Sequence, residues 1–363
     1  MNAPTVRPGI LDIEPYRGGN ADLGGDGEVI MLAANESPLG PSPRAVAALE
    51  AAAPTAHRYP DGGATALRQA LARHHDLAPD RIVCGNGSDE LISLLVQAYA
   101  GPGDEVLYSR HGFLMYGLAA RATGATPVTA PETDLTADID HLLAAVTART
   151  RIVFVANPNN PTGSYLTTNQ VARLRAGLAP ETILVIDAAY AEYVSRNDYT
   201  DGLEFARGPG NTVMTRTFSK LHGLAGLRVG WAYGPAHVID VLNRVRGPFN
   251  VNGGAQAAAL AALGDTAHAD AARTHNDIWL PKLSAALREL GLDIPPSVGN
   301  FVLVRFPGGG DQAQAAADFL LTRRIIVRGM AGYGLADALR ITVGTGSENQ
   351  AVLAALGDFL AVR

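Results

Sequence analysis

Two of the chain's 29 basic residues are lysines, and they stand in different settings. Lys282 lies in the amphipathic segment PKLSAALREL, as expected of a solvated surface charge. Lys220 instead follows a predicted strand, with the hydroxyl residues Thr217 and Ser219 before it and Arg228 after it. A lysine amine that is sheltered from water can act as a nucleophile toward a carbonyl group. Lys220 is therefore the leading candidate for a catalytic residue.

A carboxylate and a phenol follow another apolar segment. Asp187 ends the run TILVID, where a buried carboxylate is costly unless it meets a cation or a strong hydrogen-bond donor. A helix N-cap is the ordinary explanation of such an aspartate, and a protonated ring nitrogen is the functional alternative. Tyr190 comes one turn later and could direct its hydroxyl to the same place.

Two loops that follow predicted strands could bind a ligand. The segment RIVC-GNGSDE runs through a glycine-rich turn into a helix, whose first N–H groups can hold a phosphate. Glu90 stands where a dinucleotide fingerprint has its third glycine, so GxGxxG is absent and a nicotinamide enzyme loses its main support. In the second loop, NPNNPTG at 157–163, Asn160 offers an amide to a ligand oxygen. Both loops could also be ordinary structural turns.

These features converge on one cofactor. A phosphate-binding turn, a carboxylate for a ring nitrogen, donors for a ring oxygen and a sheltered lysine are together what pyridoxal 5'-phosphate (PLP) requires. The lysine forms the Schiff base, and the cofactor supplies the electron sink.

The elements that must position these residues are short apolar strands alternating with helices. The runs RIVFVA and TILVI are apolar throughout, which is typical of strands covered on both faces in a parallel sheet. The pattern predicts a doubly wound α/β fold with a mostly parallel sheet, in which ligands bind beyond the carboxyl ends of the strands. Predicted strands cover 81–84, 105–108, 125–129, 151–156, 182–187, 211–216 and 227–233, and predicted helices cover 89–99, 138–146 and 167–177.

The final third of the chain has a different pattern, which predicts a second, smaller α+β domain. The first residues, 1–30, are rich in Gly and Pro and are interpreted as an arm. Predicted helices cover 252–263, 267–290 and 348–360, and predicted strands cover 301–306, 324–328 and 339–343.

Composition excludes several classes of protein. A net charge of −6 argues against nucleic acid as the main partner, because phosphate binding requires a basic surface. One cysteine cannot form an internal disulfide, and neither Cys84 nor the adjacent His74 and His75 has zinc-site spacing, so no metal is expected. No apolar run approaches the roughly 18 residues of a membrane span, and the N-terminus lacks a signal-peptide core. We therefore expect a cytoplasmic protein.

With these residues in view, the chain resembles the histidinol-phosphate aminotransferase family, whose members are fold-type I PLP-dependent transferases. The combination of SK at 219–220 with a downstream GLRVG, NNPTG at 159–163 and D-x-x-Y at 187–190 is specific for aminotransferases of this fold. The resemblance extends along nearly the whole chain. Further matching segments are PY at 15–16, ANESPLGPSP at 34–43, HRYPDGG at 57–63, HGFLMY at 111–116, NFVLVRF at 300–306, IIVR at 325–328 and LRITVGT at 339–345.

The resemblance implies a role for each matching position. Lys220 would form the Schiff base, Asp187 would pair with the pyridinium nitrogen, and Phe113 would stack on the ring. Asn160 and Tyr190 would bond the phenolic oxygen of the ring. The cofactor phosphate would be held by the backbone amides of Ser88 and Asp89 together with Thr217, Ser219 and Arg228.

The resemblance also implies how the molecule is assembled. Residues 31–247 would form the large PLP-binding domain, and residues 248–363 would form the small domain together with the arm at 1–30. Tyr59 of the RYP motif would reach the cofactor phosphate of a partner subunit, which implies a homodimer with shared active sites.

The substrate is expected to meet two arginines beside predicted strands of the small domain, Arg328 and Arg340. A guanidinium presents a planar fork that suits a carboxylate or a phosphate, although a surface salt bridge is the ordinary explanation of each arginine alone. In the resembled family, these arginines and the tyrosine here numbered Tyr16 contact the substrate phosphate. The same arginines would receive the carboxylate of glutamate, and Asn35 would lie near the substrate. No residue of the sequence can be assigned to the imidazole ring.

The function that follows is reversible amino transfer between L-histidinol phosphate and 2-oxoglutarate or glutamate, a step of histidine biosynthesis. The nearest alternative is an aromatic amino acid (Phe/Tyr) aminotransferase on the same scaffold, and a more distant one is a PLP-dependent decarboxylase of a phosphorylated amino acid. A non-catalytic regulator is disfavoured, because a binding module needs no Schiff-base lysine.

Overall fold

The computed structural model describes residues 5–7, 9–13 and 28–361. The strands are β1 (Ile30–Met31), β2 (Ile82–Gly85), β3 (Glu105–Ser109), β4 (Thr126–Ala130), β5 (Glu132–Thr133), β6 (Thr136–Ala137), β7 (Thr150–Ala156), β8 (Ile183–Asp187), β9 (Thr212–Thr217), β10 (Gly230–Tyr233), β11 (Phe301–Arg305), β12 (Ile325–Ile326), β13 (Arg328–Gly329) and β14 (Ala338–Thr342). The helices are α1 (Pro43–Ala52), α2 (Thr65–His75), α3 (Ser88–Tyr99), α4 (Leu114–Thr123), α5 (Ile139–Ala144), α6 (Thr168–Gly177), α7 (Leu203–Arg207), α8 (Ala236–Val245), α9 (Gly253–Leu263), α10 (Thr266–Glu289), α11 (Gly309–Thr322) and α12 (Gly346–Ala361).

A seven-stranded sheet forms the centre of the larger unit, in the order β2-β10-β9-β8-β7-β3-β4. Only β10 runs against its neighbours, so the predicted mostly parallel sheet is confirmed. Successive residues of β7 and β8 enter two different hydrophobic clusters: Phe154 and Val185 pack on one face, Val153 and Leu184 on the other. These strands are apolar at every position because other parts of the protein pack on both faces of the sheet.

The antiparallel strand β10 begins later than the predicted strand 227–233. A short 3₁₀ turn occupies Ala225–Leu227, and Arg228 has a φ of 54°, which is incompatible with an extended strand. The strand therefore starts at Gly230, and the two residues before it belong to the loop that carries the Arg228 side chain into the cavity described below.

A smaller unit is built around the antiparallel sheet β11-β14-β13 and the parallel pair β1-β12. Its core joins Leu32 near the start of the described chain to Leu283, Val302 and Ile341 from the last third. The prediction of one strand at 324–328 is wrong: Ile325–Ile326 pairs with β1, whereas Arg328–Gly329 pairs with β14. Residues 325–327 are all apolar, so the composition of the run does not reveal that its two parts join different sheets.

The division between residues 247 and 248 stays a prediction. The alanine-rich helix α9 packs with α1 and α2, and its buried Ala255 and Ala258 share a cluster with Ala45 and Leu67 of those helices. We therefore propose that α9 belongs with the larger unit and that the smaller unit begins in α10. The arm at 1–30 is described only in part. No helix in the described ranges combines the length and apolarity that crossing a membrane requires.

Candidate functional site

A cavity of about 450 Å³ lies beyond the carboxyl ends of the parallel strands, with walls from both units. Nearly all of the site residues that were predicted from the sequence line this cavity. Those residues are Asn35, Ser88, Asp89, Phe113, Asn160, Asp187, Tyr190, Thr217, Ser219, Lys220, Arg228, Arg328 and Arg340.

Lys220 follows β9 and is held in the cavity wall. Its Nζ donates a hydrogen bond to the Ala34 carbonyl at 2.9 Å and lies 5.7 Å from the centre of the Tyr190 ring. Desolvation by the surrounding protein lowers the pKa of the Lys220 amine to about 8, and the positive charge of Arg340 contributes in the same direction. A larger fraction of this amine is therefore in the neutral, nucleophilic form near neutral pH than at the ordinary lysine pKa.

Asp187, the last residue of β8, is buried at the floor of the cavity. Tyr116 donates to its Oδ2 at 2.8 Å, and Thr215 donates to its Oδ1 at 3.1 Å. Burial nevertheless raises the pKa of the Asp187 carboxyl to about 6, against the opposing effect of these hydrogen bonds. A cation beside Asp187 would remove the cost of burying its charge, so the carboxylate suits a protonated heterocyclic nitrogen.

Polar contacts connect the two units across the cavity. Asn35, on the segment after β1, donates through Nδ2 to the Tyr190 hydroxyl at 2.9 Å. Arg340 of β14 donates to Oδ1 of Asn160 and, at 2.6 Å, to the Ala33 carbonyl. The Asn160 amide and the Tyr190 phenol are thereby held near Lys220, and burial raises the pKa of that phenol to about 12, so it acts as a hydrogen-bond donor.

The N-terminus of α3 meets the loop before β10 at one corner of the cavity. Arg228 donates to Ser219 Oγ at 3.2 Å and pairs with Asp89 at 2.9 Å. Gly87 has a φ of 82°, and a Cβ there would collide with the Arg228 guanidinium. A Cβ on Gly230 would lie 2.5 Å from the Ser88 amide nitrogen. Glycine at both positions therefore allows the α3 backbone amides and the Arg228 guanidinium to lie close together. A phosphate requires such a group of donors.

Arg328 and Arg340 stand directly opposite each other in the antiparallel pair β13-β14, so both side chains are on one face of the sheet. Both line the cavity, Arg328 half-buried and Arg340 buried. Two guanidinium groups on one wall can bind a carboxylate or a phosphate bidentately.

Tyr59 is not among the described residues that line this cavity. Tyr59 is 84% exposed and stacks on Phe249 with ring centres 4.7 Å apart. Its predicted action on a partner subunit stays a prediction. Tyr16 falls outside the described residues.

Four polar residues at the site were not predicted from the sequence. Tyr116 and Thr215 bond Asp187 from behind, and Glu36 and Tyr333 line the cavity. Tyr116 is the last residue of the HGFLMY segment, three residues after Phe113, and this helical spacing could have identified it. The other three gave no such signal, because contacts distant in sequence bring them to the site.

The donor set fits a phosphorylated heteroaromatic cofactor. The helix amides, Arg228 and the two hydroxyl residues suit its phosphate, Asp187 suits its ring nitrogen, and the Lys220 amine suits a carbonyl carbon. It does not suit a metal: the described residues contain no group of three or more His, Cys, Asp or Glu side chains able to hold one.

Comparisons with known proteins agree with this geometry. The sequence model of the family "Aminotransferase class I and II" matches residues 27–356. The chain is 61% identical over 361 residues to a histidinol-phosphate aminotransferase of Paramagnetospirillum magneticum, covering 99% of each chain. It is 58% identical over 359 residues to one of Rhodospirillum rubrum, covering 99% of this chain and 97% of the other. The crystal structure of histidinol-phosphate aminotransferase from Sinorhizobium meliloti in complex with PLP superposes with a TM-score of 0.92, at 30% identity and 99% coverage of both chains.

Proposed function

The chain belongs to the aminotransferase class I and II family, and we propose that it transfers an amino group reversibly between L-histidinol phosphate and 2-oxoglutarate. Relatives named for this reaction are similar along the whole chain rather than in the catalytic motifs alone. The single observation that carries the proposal is one cavity lined by Lys220, the buried Asp187 and the facing pair Arg328 and Arg340.

The enzyme uses PLP, and the residues of the cavity have complementary parts in binding it. We assign Asp187 to the ring nitrogen and Phe113, at the start of α4, to the ring face. Asn160 and Tyr190 are assigned to the phenolic oxygen. The phosphate is assigned to the amides of Ser88 and Asp89, with Thr217, Ser219 and Arg228. When bound, the cofactor supplies a protonated ring that accepts the electron pair left on the substrate Cα after proton loss.

Lys220 moves the proton at the substrate Cα. As a free amine with a pKa lowered to about 8, its Nζ accepts that proton near neutral pH and can return it to a neighbouring carbon. Asp187 keeps its negative charge while a cation is beside it, because the cation lowers its pKa again. Arg340 adds to the positive field that lowers the pKa of the Lys220 amine.

The two substrates would bind to the same pair of arginines, Arg328 and Arg340, on one wall of the cavity. L-Histidinol phosphate presents a phosphate and no carboxylate, whereas glutamate presents carboxylates. Arg328 and Arg340 offer both acceptors the same paired guanidinium groups, so one wall can serve both half-reactions. Asn35 is buried beside this wall, where it bonds Tyr190 and Thr342. The phosphate contact assigned to Tyr16 remains part of the proposal.

We also propose a homodimer in which Tyr59 of each subunit reaches the cofactor phosphate of the other. The support is that Tyr59 projects into solvent, away from its own cavity, while Phe249 fixes one face of its ring. The partners in the reaction are small molecules, and nucleic acid and membrane are not expected as partners. The cytoplasm remains the predicted location.

A substrate comparison tests the proposed function. The purified holoenzyme is given 2-oxoglutarate with L-histidinol phosphate, L-phenylalanine or L-tyrosine, and glutamate formation is measured. We expect kcat/KM for L-histidinol phosphate to exceed the other two by about a hundredfold or more, because a phosphate offers two guanidinium groups more negative charge and more acceptor oxygens than a carboxylate does. Equal or better turnover of phenylalanine or tyrosine would instead identify an aromatic amino acid aminotransferase.

A variant of Arg328 tests the assignment of the phosphate. In Arg328→Ala, kcat/KM for L-histidinol phosphate should fall about 10- to 100-fold, and that for phenylalanine should fall less. Arg323→Ala is the control, since Arg323 is exposed and pairs with Asp358 at 3.2 Å outside the cavity. Equal losses for the two substrates would remove Arg328 from phosphate recognition.

A further inference from the structure

The Asp187 carboxylate is held by a tyrosine that is not in the cavity wall. The Tyr116 hydroxyl donates to Asp187 Oδ2 at 2.8 Å and Thr215 donates to Oδ1 at 3.1 Å, and neither donor residue lines the cavity. All three residues are buried, and Tyr116 is 0% exposed. Each carboxylate oxygen therefore accepts from one of these two hydroxyl groups, and a carboxylate has further lone pairs for a group in the cavity.

The position of the Tyr116 hydroxyl is determined by packing of its ring. The ring stacks on Phe154 of β7, with centres 4.5 Å apart and planes 7° apart. Phe113, which lines the cavity, meets the same ring edge-on at 5.8 Å. One side chain thus connects the residue assigned to the cofactor's ring face with the residue assigned to its ring nitrogen. Such a contact can transmit the position of one group to the other.

We propose that Tyr116 is a positioning residue whose hydroxyl holds Asp187 in the orientation, and as the anion, that the ring nitrogen of PLP requires. The proposal rests on PLP as the cofactor and not on which amino acid is the substrate. Tyr116 itself touches neither cofactor nor substrate in this arrangement.

The charges around Asp187 explain why this donor matters. Burial and the negative charge of Asp89 on α3 raise the pKa of Asp187, whereas hydrogen bonds from Tyr116, Thr215 and the Ala189 amide lower it. Burial and the nearby Asp187 charge also raise the pKa of the Tyr116 phenol well above 10, so the phenol always carries its proton and donates it. Without this donor, more of the Asp187 carboxyl is neutral at pH 7, and a neutral carboxyl cannot balance a ring cation.

The test compares cofactor-free wild type, Tyr116→Phe and the control Tyr108→Phe. Tyr108 belongs to the same aromatic cluster, 5.8 Å from Tyr116, but does not bond Asp187. PLP is titrated into each protein at pH 7 and binding is followed by absorbance. We expect the dissociation constant to rise about tenfold or more in Tyr116→Phe and to stay within about twofold in Tyr108→Phe. Far-ultraviolet circular dichroism checks that all three proteins are folded.

Protonation of Asp187 provides a readout that a purely structural role would not change. Isotope-edited infrared spectra of the cofactor-free proteins follow the aspartate carboxyl stretch with pH, and Asp187→Asn identifies the band. In Tyr116→Phe the midpoint should move to higher pH, and in Tyr108→Phe it should remain at the wild-type value. An unchanged midpoint and an unchanged dissociation constant in Tyr116→Phe would overturn the proposal. If the wild type bound no PLP at all, the failure would lie with the proposed function instead.

Discussion

The contrast between the two lysines shows how environment, rather than residue type, makes a side chain reactive. Lys282 is exposed and lies 5.4 Å from the centre of the Trp279 ring, whereas Lys220 is half-buried in the cavity wall and bonded to the Ala34 carbonyl. Desolvation and the charge of Arg340 lower the pKa of Lys220. Lys282 can therefore serve as the control residue in experiments on the Lys220 amine.

Replacement of the catalytic lysine tests its role directly. Lys220→Ala should reduce amino transfer by about a thousandfold or more, because it removes both the nucleophile and the base at Cα. Lys282→Ala should retain wild-type turnover and wild-type absorbance of the bound cofactor. Glutamate formation and thermal melting are measured on both variants. Substantial turnover by a folded Lys220→Ala protein would show that another group is the nucleophile.

Asp187 should make the empty enzyme less stable at neutral pH. Its folded pKa of about 6 is above the ordinary 3.8, so the folded protein holds this proton between these values while the unfolded chain releases it. Stability consequently falls as pH rises from about 4 to 6, and the whole cost, about 3 kcal/mol, applies above that window. Asp187→Asn should therefore raise the melting temperature of the cofactor-free protein at pH 7 and change it little at pH 4.

The amino-transfer activity of the same variant, Asp187→Asn, should change in the opposite direction to its stability. Asp187→Asn should lose nearly all amino transfer, because a neutral amide cannot stabilise a protonated ring. Calorimetry of the cofactor-free protein at the two pH values measures the stability difference. A variant that melted lower than wild type at pH 7 would contradict a destabilising carboxylate at this position.

At the scale of the elements, the site depends on how closely α3 approaches β10. The Ser88 amide is so near Gly230 that a single added methyl group would have to displace backbone atoms. Gly230→Ala should therefore weaken PLP binding about tenfold or more and lower the melting temperature. Gly101→Ala is the matched control, because a Cβ there meets nothing within 4 Å. Unchanged PLP binding in Gly230→Ala would show that the helix amides do not hold the phosphate.

The positions of some strands could be predicted from the sequence, whereas their direction and pairing could not. The strands β7 and β8 were predictable because cover on both faces requires apolar residues at every position, and the residues at their ends were identified for the same reason. Direction and pairing were not predictable locally. Nothing in the residues of β10 specifies that it runs antiparallel between β2 and β9, and nothing in the run before Arg328 specifies a break between two sheets.

The prediction of the site residues has the same limit, because contacts between distant parts of the chain are not visible in the local sequence. Lys220 and Asp187 carry charges in apolar surroundings, and this conflict is visible in the sequence. Tyr116 carries no such conflict: a tyrosine in an apolar helix resembles an ordinary core residue until the fold brings Asp187 to its hydroxyl. Residues that act through another residue are therefore harder to predict than residues that carry the chemistry themselves.

At the scale of the whole molecule, the proposed exchange of Tyr59 between subunits can be tested by mixing two defective proteins. Lys220→Ala lacks the amine, and Tyr59→Ala should bind PLP weakly at limiting cofactor. If Tyr59 acts on the partner, a hybrid dimer contains one site with both residues intact. Random exchange between equal amounts then restores about a quarter of wild-type activity per subunit. Activity equal to the average of the two separate proteins would place Tyr59 in its own subunit's site or in none.

The pairing of β1 with β12 has a consequence for the order of events during synthesis on the ribosome. Residues 82–233, which supply the seven-stranded sheet, have emerged before β11, β12 and β14 are translated. The segment after β1 must wait for those late strands before Leu32 finds its core and before Ala33 and Ala34 meet Arg340 and Lys220. One wall of the cavity therefore cannot form before these late strands have emerged. A nascent chain that stalls before β14 can contain the catalytic lysine and still not be an enzyme.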